Sequence, residues 1–219
     1  MRRDRNRTIA AVVLLAALLA GCSQRQEPTT PAATLGALAS EPPTAAPSDA
    51  PTDPPAPDPY AIPANPEDID KAYVEKVLQE LMVSISNAAR TVARRGKLTE
   101  EAIAGLRATH RQDSPPTVVD GFRAALREDP SGGIFSRNAK PTRISVRKVI
   151  SVNESCIFTL VLQNMSGLVE KKVKPFPGYY HLGLKRPSDD PDGRNPTPWV
   201  VVADAKPRRD GKEYSDPCT

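Results

Sequence analysis

The sequence has few of the residues on which most catalytic and metal sites depend. Of its 219 residues, only 3 are cysteine and 2 are histidine. The patterns His-x-x-x-His, Cys-x-x-Cys and Gly-x-Ser-x-Gly are all absent. These absences exclude the usual sequence signatures of zinc sites, dithiol redox centres and serine hydrolases. We therefore expect no catalytic residue, no metal site and no cofactor.

A hydrophobic run long enough to span a bilayer is also lacking. The one sustained apolar stretch, Ile9 to Ala20, has 12 residues. As a helix it would be about 18 Å long, against a hydrocarbon core of roughly 30 Å. Four arginines precede it within the first seven residues, which is typical of a signal peptide. Residues 1–21 are therefore predicted to be a cleaved signal peptide.

The residues at the end of this stretch indicate a lipid anchor. The run Leu19-Ala20-Gly21-Cys22 resembles the lipobox of bacterial lipoproteins. The resemblance implies that the Cys22 thiol receives a diacylglyceryl group and that Cys22 becomes the mature N-terminus. Because two acyl chains give stable attachment, it also implies an exported protein on the outer face of the cytoplasmic membrane. The alternative is a cleaved secretory signal in which Cys22 has no such role.

Proline is unevenly distributed, with 12 of the 24 prolines between residues 23 and 66. The rest of this segment is mainly Ala, Thr, Ser and Asp, and its one aromatic residue is Tyr60. Such a composition buries too little apolar surface to offset the entropy of ordering the chain. Residues 22–66 are therefore predicted to be the lipidated cysteine and a disordered Pro/Ala/Thr-rich linker, and residues 67–219 a single domain.

Charge of one sign is not concentrated in the predicted domain. Residues 67–219 carry a formal charge of +5, the linker −4 and the leader +3, within a net charge of +4. The basic residues of the domain are dispersed, whereas nucleic-acid binding usually requires a concentrated basic stripe with interleaved aromatics. Nucleic acid is therefore not an expected partner. A weakly basic surface that faces anionic lipid or cell-wall polymer is the simpler interpretation.

Three helices are predicted in the first half of the domain. The first covers residues 66–95, with Asn65 as N-cap and Gly96 just past its end. Thr99 is predicted to cap the second helix, and Ser114-Pro115 to open the third. The first helix is supported by apolar residues at helical spacing: Ile69, Tyr73, Val77, Leu81, Ile85 and Val92.

Strand patterns follow Gly133. Apolar and β-branched segments occur at residues 144–152, 156–162, 179–184 and 199–202. The short turns between them favour antiparallel pairing. Helices followed by a run of strands indicate an α+β fold, here with three N-terminal helices packed on a curved antiparallel sheet of three to five strands.

This order of elements resembles the cone-shaped folds of the nuclear-transport-factor-2-like superfamily, over residues 67 to about 205. Some enzymes of that superfamily place acids, tyrosines or histidines in a cavity between helix and sheet. On this sequence the resemblance implies four possible cavity-lining residues, Tyr73, Tyr180, His181 and Trp199. Adjacent strand residues point to opposite faces, so at most one of Tyr180 and His181 faces the cavity. Core packing is the commonest role of such side chains and the interpretation we favour.

The C-terminal part carries a second resemblance. The pattern Pro177-Gly178-Tyr179-Tyr180 and the terminal Asp216-Pro217-Cys218 are similar to the C-terminal halves of actinobacterial lipoproteins with no assigned activity.

The cysteines left after lipidation of Cys22 are Cys156 and Cys218, an even number for an oxidising compartment. A bridge between them would fasten the C-terminal tail to the sheet, and we predict this disulfide. The alternative is a buried free Cys156 beside a disordered Cys218.

One loop carries oxygen ligands at alternate positions, as calcium-binding loops do: Asp190, Asp192 and Asn195 around Gly193. The same residue types also form ordinary exposed turns, which is the interpretation we favour.

Two functions remain open. The first is a membrane-anchored, non-enzymatic interaction or accessory module of the cell envelope, with another envelope protein as partner. It predicts an exposed apolar patch. The alternative is a small-ligand-binding or isomerase/dehydratase-like domain, which predicts an enclosed apolar pocket that contains a perturbed Asp, Tyr or His.

Overall fold

The computed structural model describes residues 57–113, 116–207 and 214–219. The predicted signal peptide and Cys22 lie outside these residues, as does the predicted linker up to residue 56. The described chain contains three α-helices and four strands in the order β1-β2-β3-β4, with every neighbouring pair antiparallel. The predicted α+β class is confirmed. The elements are a 3₁₀ turn at Pro66–Asp68, α1 (Lys71–Arg95), α2 (Glu100–Thr109), α3 (Val118–Glu128), β1 (Arg143–Asn153), β2 (Cys156–Asn164), β3 (Phe176–Leu184) and β4 (Trp199–Ala205).

The start of α1 differs from the prediction of a helix from residue 66. Pro66–Asp68 forms a separate 3₁₀ turn, and Asn65 makes no side-chain cap. The N-cap is Asp70, whose carboxylate accepts a 2.8 Å hydrogen bond from the Tyr73 backbone N–H. A carboxylate both satisfies an unpaired N–H and complements the positive end of the helix. At the other end, Gly96 closes α1 with φ 62°, as expected for a glycine C-cap.

The two shorter helices begin at threonines. The Thr99 hydroxyl accepts from the Ala102 N–H at 3.3 Å, so the predicted cap of α2 is confirmed. The start of α3 is at Val118 rather than at Ser114-Pro115, two residues that lie outside the described part. Thr117 and Asp120 form a capping box there, in which each side chain accepts from the other residue's backbone N–H.

Two irregularities in the pairing of β1 with β2 keep the apolar side chains of β1 on one face of the sheet. Its register against β2 shifts between Val146 and Lys148 and again between Val149 and Ser151. A one-residue slip moves following side chains to the opposite face, so each extra residue resets the alternation. As a result Ile144, Val146, Val149 and Val152 all pack against the same core.

The core lies between α1 and one face of the sheet. A second, smaller cluster joins α1 to α2 and α3 and includes Val92, Leu106 and Phe122. Among the described residues, no helix combines the length and the hydrophobicity that a membrane span needs. The largest fully buried side chains of the main cluster are Trp199, Leu78, Leu81, Met82, Ile157 and Leu182.

The described end of the predicted linker contacts α1. The Tyr60 hydroxyl donates to Glu80 at 2.9 Å, and the Lys76 ammonium donates to the Pro59 carbonyl at 2.9 Å. The folded part therefore begins before the predicted boundary at residue 67.

Candidate functional site

Two of the four candidate cavity residues meet in the structure. The Trp199 Nε1 donates a 2.9 Å hydrogen bond to the Tyr73 hydroxyl, which donates in turn to the Tyr60 carbonyl at 3.1 Å. Trp199 is fully buried. Burial raises the pKa of Tyr73, so its phenol stays neutral at ordinary pH. The pair links α1 to β4, and its polar atoms are already bonded within the protein.

The other two candidates lie on opposite faces of β3, as their adjacency predicts. Tyr180 is buried in the main core, and its hydroxyl donates to the side-chain oxygen Oε1 of Gln163 at 3.1 Å. Burial strongly raises the pKa of Tyr180. His181 is only half-buried, and burial together with the Arg111 guanidinium lowers its pKa. The four side chains therefore do not line one common cavity.

The face of the sheet that carries His181 is partly covered by the C-terminal tail. The predicted disulfide between Cys156 and Cys218 is present, which attaches the tail to β2. The Asn153 side-chain amide donates to the Cys218 carbonyl at 2.9 Å. Tyr214 packs on Tyr179 with ring centroids 5.2 Å apart. The tail is thus a structural part of the domain.

The oxygen-rich loop before β4 bonds to the protein itself. The Asp190 carboxylate accepts from the backbone N–H groups of Arg194 and Asn195, at 2.7 and 2.9 Å. Lys185 adds a 3.2 Å ion pair. Burial opposes ionisation of Asp190, but these donors outweigh it and lower its pKa. The Asn195 amide also donates to the Ala108 carbonyl at 3.0 Å, which ties the loop to α2.

A polar groove of about 480 Å³, which no sequence pattern predicts, lies between α1, α2 and this loop. Arg90 and Arg94 lie one turn apart on α1, a spacing that the sequence shows. Arg194 comes from the loop, about 100 positions later, so sequence alone gives no signal that the three share a site. The charged residues that line the groove are Arg90, Arg94, Arg95, Arg194, Glu80 and Glu101.

A chain of hydrogen bonds runs from this groove to a buried histidine. The Ser84 hydroxyl lies 2.6 Å from that of Thr109, which lies 2.9 Å from His110 Nδ1. Ser84 Oγ also donates to the Leu81 carbonyl at 3.0 Å. Burial lowers the pKa of His110 to about 4, so the imidazole is neutral at pH 7. The Ser84 hydroxyl therefore has two partners within the protein, Thr109 and the Leu81 carbonyl.

Comparison with protein-family models, with curated proteins and with solved structures finds no match to this chain. Within the described ranges, no three His, Cys, Asp or Glu side chains are grouped so as to hold a metal ion.

Proposed function

We propose that the protein is a non-enzymatic interaction module of the cell envelope. It is held on the outer face of the cytoplasmic membrane through lipidated Cys22, and its partner is another envelope protein. The lipobox resemblance supports the anchor. The Cys156–Cys218 disulfide is consistent with an oxidising compartment outside the cytoplasm.

The observation that carries this proposal is the filled interior between helix and sheet. Trp199 is 0% exposed and Tyr180 is 4% exposed, and both pack in the main core with Leu78 and Leu81. The indole and phenol groups of this core bond to protein atoms. A ligand-binding or isomerase-like domain would instead direct such groups into an enclosed pocket. Recognition by the surface is therefore favoured over recognition in a cavity.

The surface is polar rather than apolar. Within the described part of the chain, the exposed large hydrophobic side chains are Ile62 and Val173, which lie far apart in the sequence. The apolar patch expected of a protein-docking module is thus not found there. We expect the partner to be recognised by charge and hydrogen bonding.

We also propose a topological relationship with the nuclear-transport-factor-2-like superfamily. The long helix α1 packed on a four-stranded antiparallel sheet supports it. An experimental structure with a flat sheet, lacking the strong curvature of a cone, would contradict it.

Two measurements in intact cells test the proposed function. Metabolic labelling with a lipid precursor should label the wild type and Ser23→Ala but not Cys22→Ala, and label on Cys22→Ala would contradict the anchor. Crosslinking followed by mass spectrometry should capture a specific envelope protein. Capture of a specific small molecule without a protein partner would favour the cavity alternative instead.

A further inference from the structure

The groove between α1 and α2 has an excess of positive charge. Arg90, Arg94, Arg95 and Arg194 line it together with two glutamates, Glu80 and Glu101. The positive N-terminal end of α2, capped by Thr99, also reaches the groove. An anionic group is therefore attracted to this part of the surface.

Several of these arginines are partly held in place by the protein. The Arg94 Nε donates to the Arg137 carbonyl at 3.1 Å, and the Arg194 Nε pairs with Asp192 at 3.2 Å. Arg90 bonds to the Asn87 side chain. A guanidinium has five N–H donors, so each of these contacts leaves donors for a second acceptor. Such forks bind carboxylate or phosphate oxygens in pairs.

The two glutamates restrict which anion fits. A carboxylate repels an inorganic polyanion, but it accepts hydrogen bonds from the O–H groups of a sugar. Uncharged polar groups from Ser84, Asn87 and Thr91 also line the groove and can bond to hydroxyl groups. The combination of guanidinium, carboxylate, amide and hydroxyl groups matches a ligand that has both acidic groups and hydroxyl groups.

The helix α2 leaves open space beside the groove. Gly105 in α2 lines it, and a Cβ added there would have no heavy atom within 4 Å. The groove volume of about 480 Å³ is within the size range of ordinary ligand sites. We propose that this groove binds an acidic oligosaccharide, a short sugar chain that bears carboxylate or phosphate groups. This site is additional to the protein contact proposed above and does not require the lipid anchor.

The test is a calorimetric titration of the full-length protein in detergent micelles at low salt. The probes are an oligogalacturonate tetrasaccharide, a phosphate-substituted oligosaccharide, a neutral tetrasaccharide and inorganic polyphosphate. At least one of the two acidic sugars should bind, and its affinity should fall as the salt concentration rises. Which of the two binds shows whether the groove recognises carboxylate or phosphate groups. Failure of both acidic sugars, or equal binding of the neutral sugar or of polyphosphate, would overturn the proposal.

Variants locate the site. Arg90→Gln and Arg94→Gln should each weaken binding about tenfold, because each loses charge-assisted hydrogen bonds. The control substitutions Arg107→Gln and Arg127→Gln change exposed arginines outside the groove lining and should leave affinity unchanged. Equal loss in both sets would mean that net charge, and not the groove, attracts the sugar.

Two glycine substitutions distinguish a blocked groove from a change in folding stability. Gly105→Leu should place a bulky side chain in the lining of the groove and abolish binding, while its better helix propensity raises stability. Gly121→Leu in α3 is the matched control, since its added Cβ also meets nothing within 4 Å but lies outside the groove. Gly121→Leu should be equally stabilised and bind normally. Wild-type affinity in Gly105→Leu would place the sugar elsewhere.

Discussion

The indole nitrogen of Trp199 donates a 2.9 Å hydrogen bond to the hydroxyl of Tyr73, across 126 positions of sequence. Because the same hydroxyl donates to the Tyr60 carbonyl at 3.1 Å, it joins three separate segments. These are the approach to the domain, helix α1 and strand β4. The bond thus connects the first described segment of the chain with the last strand of the sheet.

Removing this hydroxyl should destabilise the domain. We expect Tyr73→Phe to lower the free energy of unfolding by about 1–3 kcal/mol, since the buried indole N–H then has no acceptor. Urea unfolding can be followed through Trp199, the one tryptophan of the chain. Tyr214→Phe is the control, because its hydroxyl bonds to the Lys206 carbonyl at an exposed position. Equal stability of Tyr73→Phe and Tyr214→Phe would contradict this role.

The disulfide should contribute more to the unfolding free energy than the Tyr73 hydroxyl does. Cys156 and Cys218 are 62 positions apart, and closing a loop of that length stabilises by about 4 kcal/mol in the chain-entropy model. The double variant Cys156→Ala/Cys218→Ala should unfold at correspondingly lower urea concentration. Reductant should destabilise the wild type but leave the double variant unchanged. If reductant lowered the stability of both equally, the effect would not come from this bridge.

The strand and helix ends show what sequence patterns can predict. The alternating Ile144 and Val146 placed β1 correctly, because side-chain alternation follows directly from the pleat. The predicted third strand begins at Tyr179, whereas β3 begins at Phe176 and includes Pro177 and Gly178. The partner strand β4 ends opposite Tyr179, so Pro177 lies where β3 has only one neighbour and proline is tolerated.

Position 178 requires a glycine because a distant part of the chain packs closely against it. A Cβ there would collide with the Gln163 side chain, which bonds to Tyr180. Neither this contact nor the approach of Arg194 to Arg90 and Arg94 has a local sequence signal, because both depend on how distant segments pack. The sequence leaves a cavity around Tyr73 and Trp199 open beside core packing, and the structure has a packed core there.

Stability should depend on pH through His110. Its pKa is about 4 in the folded protein because of burial, against 6.5 for an ordinary histidine. As pH falls from 6.5 to 4, the unfolded chain gains a proton there that the folded chain does not, so the folded state loses about 3 kcal/mol. Acidic groups whose pKa is lowered in the folded protein, such as Asp190, change the unfolding free energy only at lower pH.

The measurement is the slope of unfolding free energy against pH. His110→Asn should flatten most of this slope between pH 6.5 and 4.5, even if the variant is less stable overall. His181→Asn is the comparison, since His181 is half-buried and should account for a smaller part. A His110 imidazole that titrates near 6.5 by NMR would contradict the burial argument.

The first strand is an edge of the sheet, and α1 covers part of it. The Glu75 carboxylate accepts from the Val146 N–H at 2.9 Å, and the side-chain oxygen Oε1 of Gln79 accepts from the Ile144 N–H at 3.3 Å. An edge strand with unpaired N–H groups is a template for pairing with another chain. These two side chains therefore act as substitutes for a neighbouring strand.

Glu75→Ala should expose that template. We expect a loss of about 1–3 kcal/mol in unfolding free energy, because the Val146 N–H is left without its acceptor. We also expect concentration-dependent self-association in sedimentation velocity. Lys71→Ala, at an exposed position of the same helix, should change neither quantity. Loss of stability without self-association would show that Glu75 only completes the hydrogen bonding of β1, whereas both effects together show that it also protects the edge.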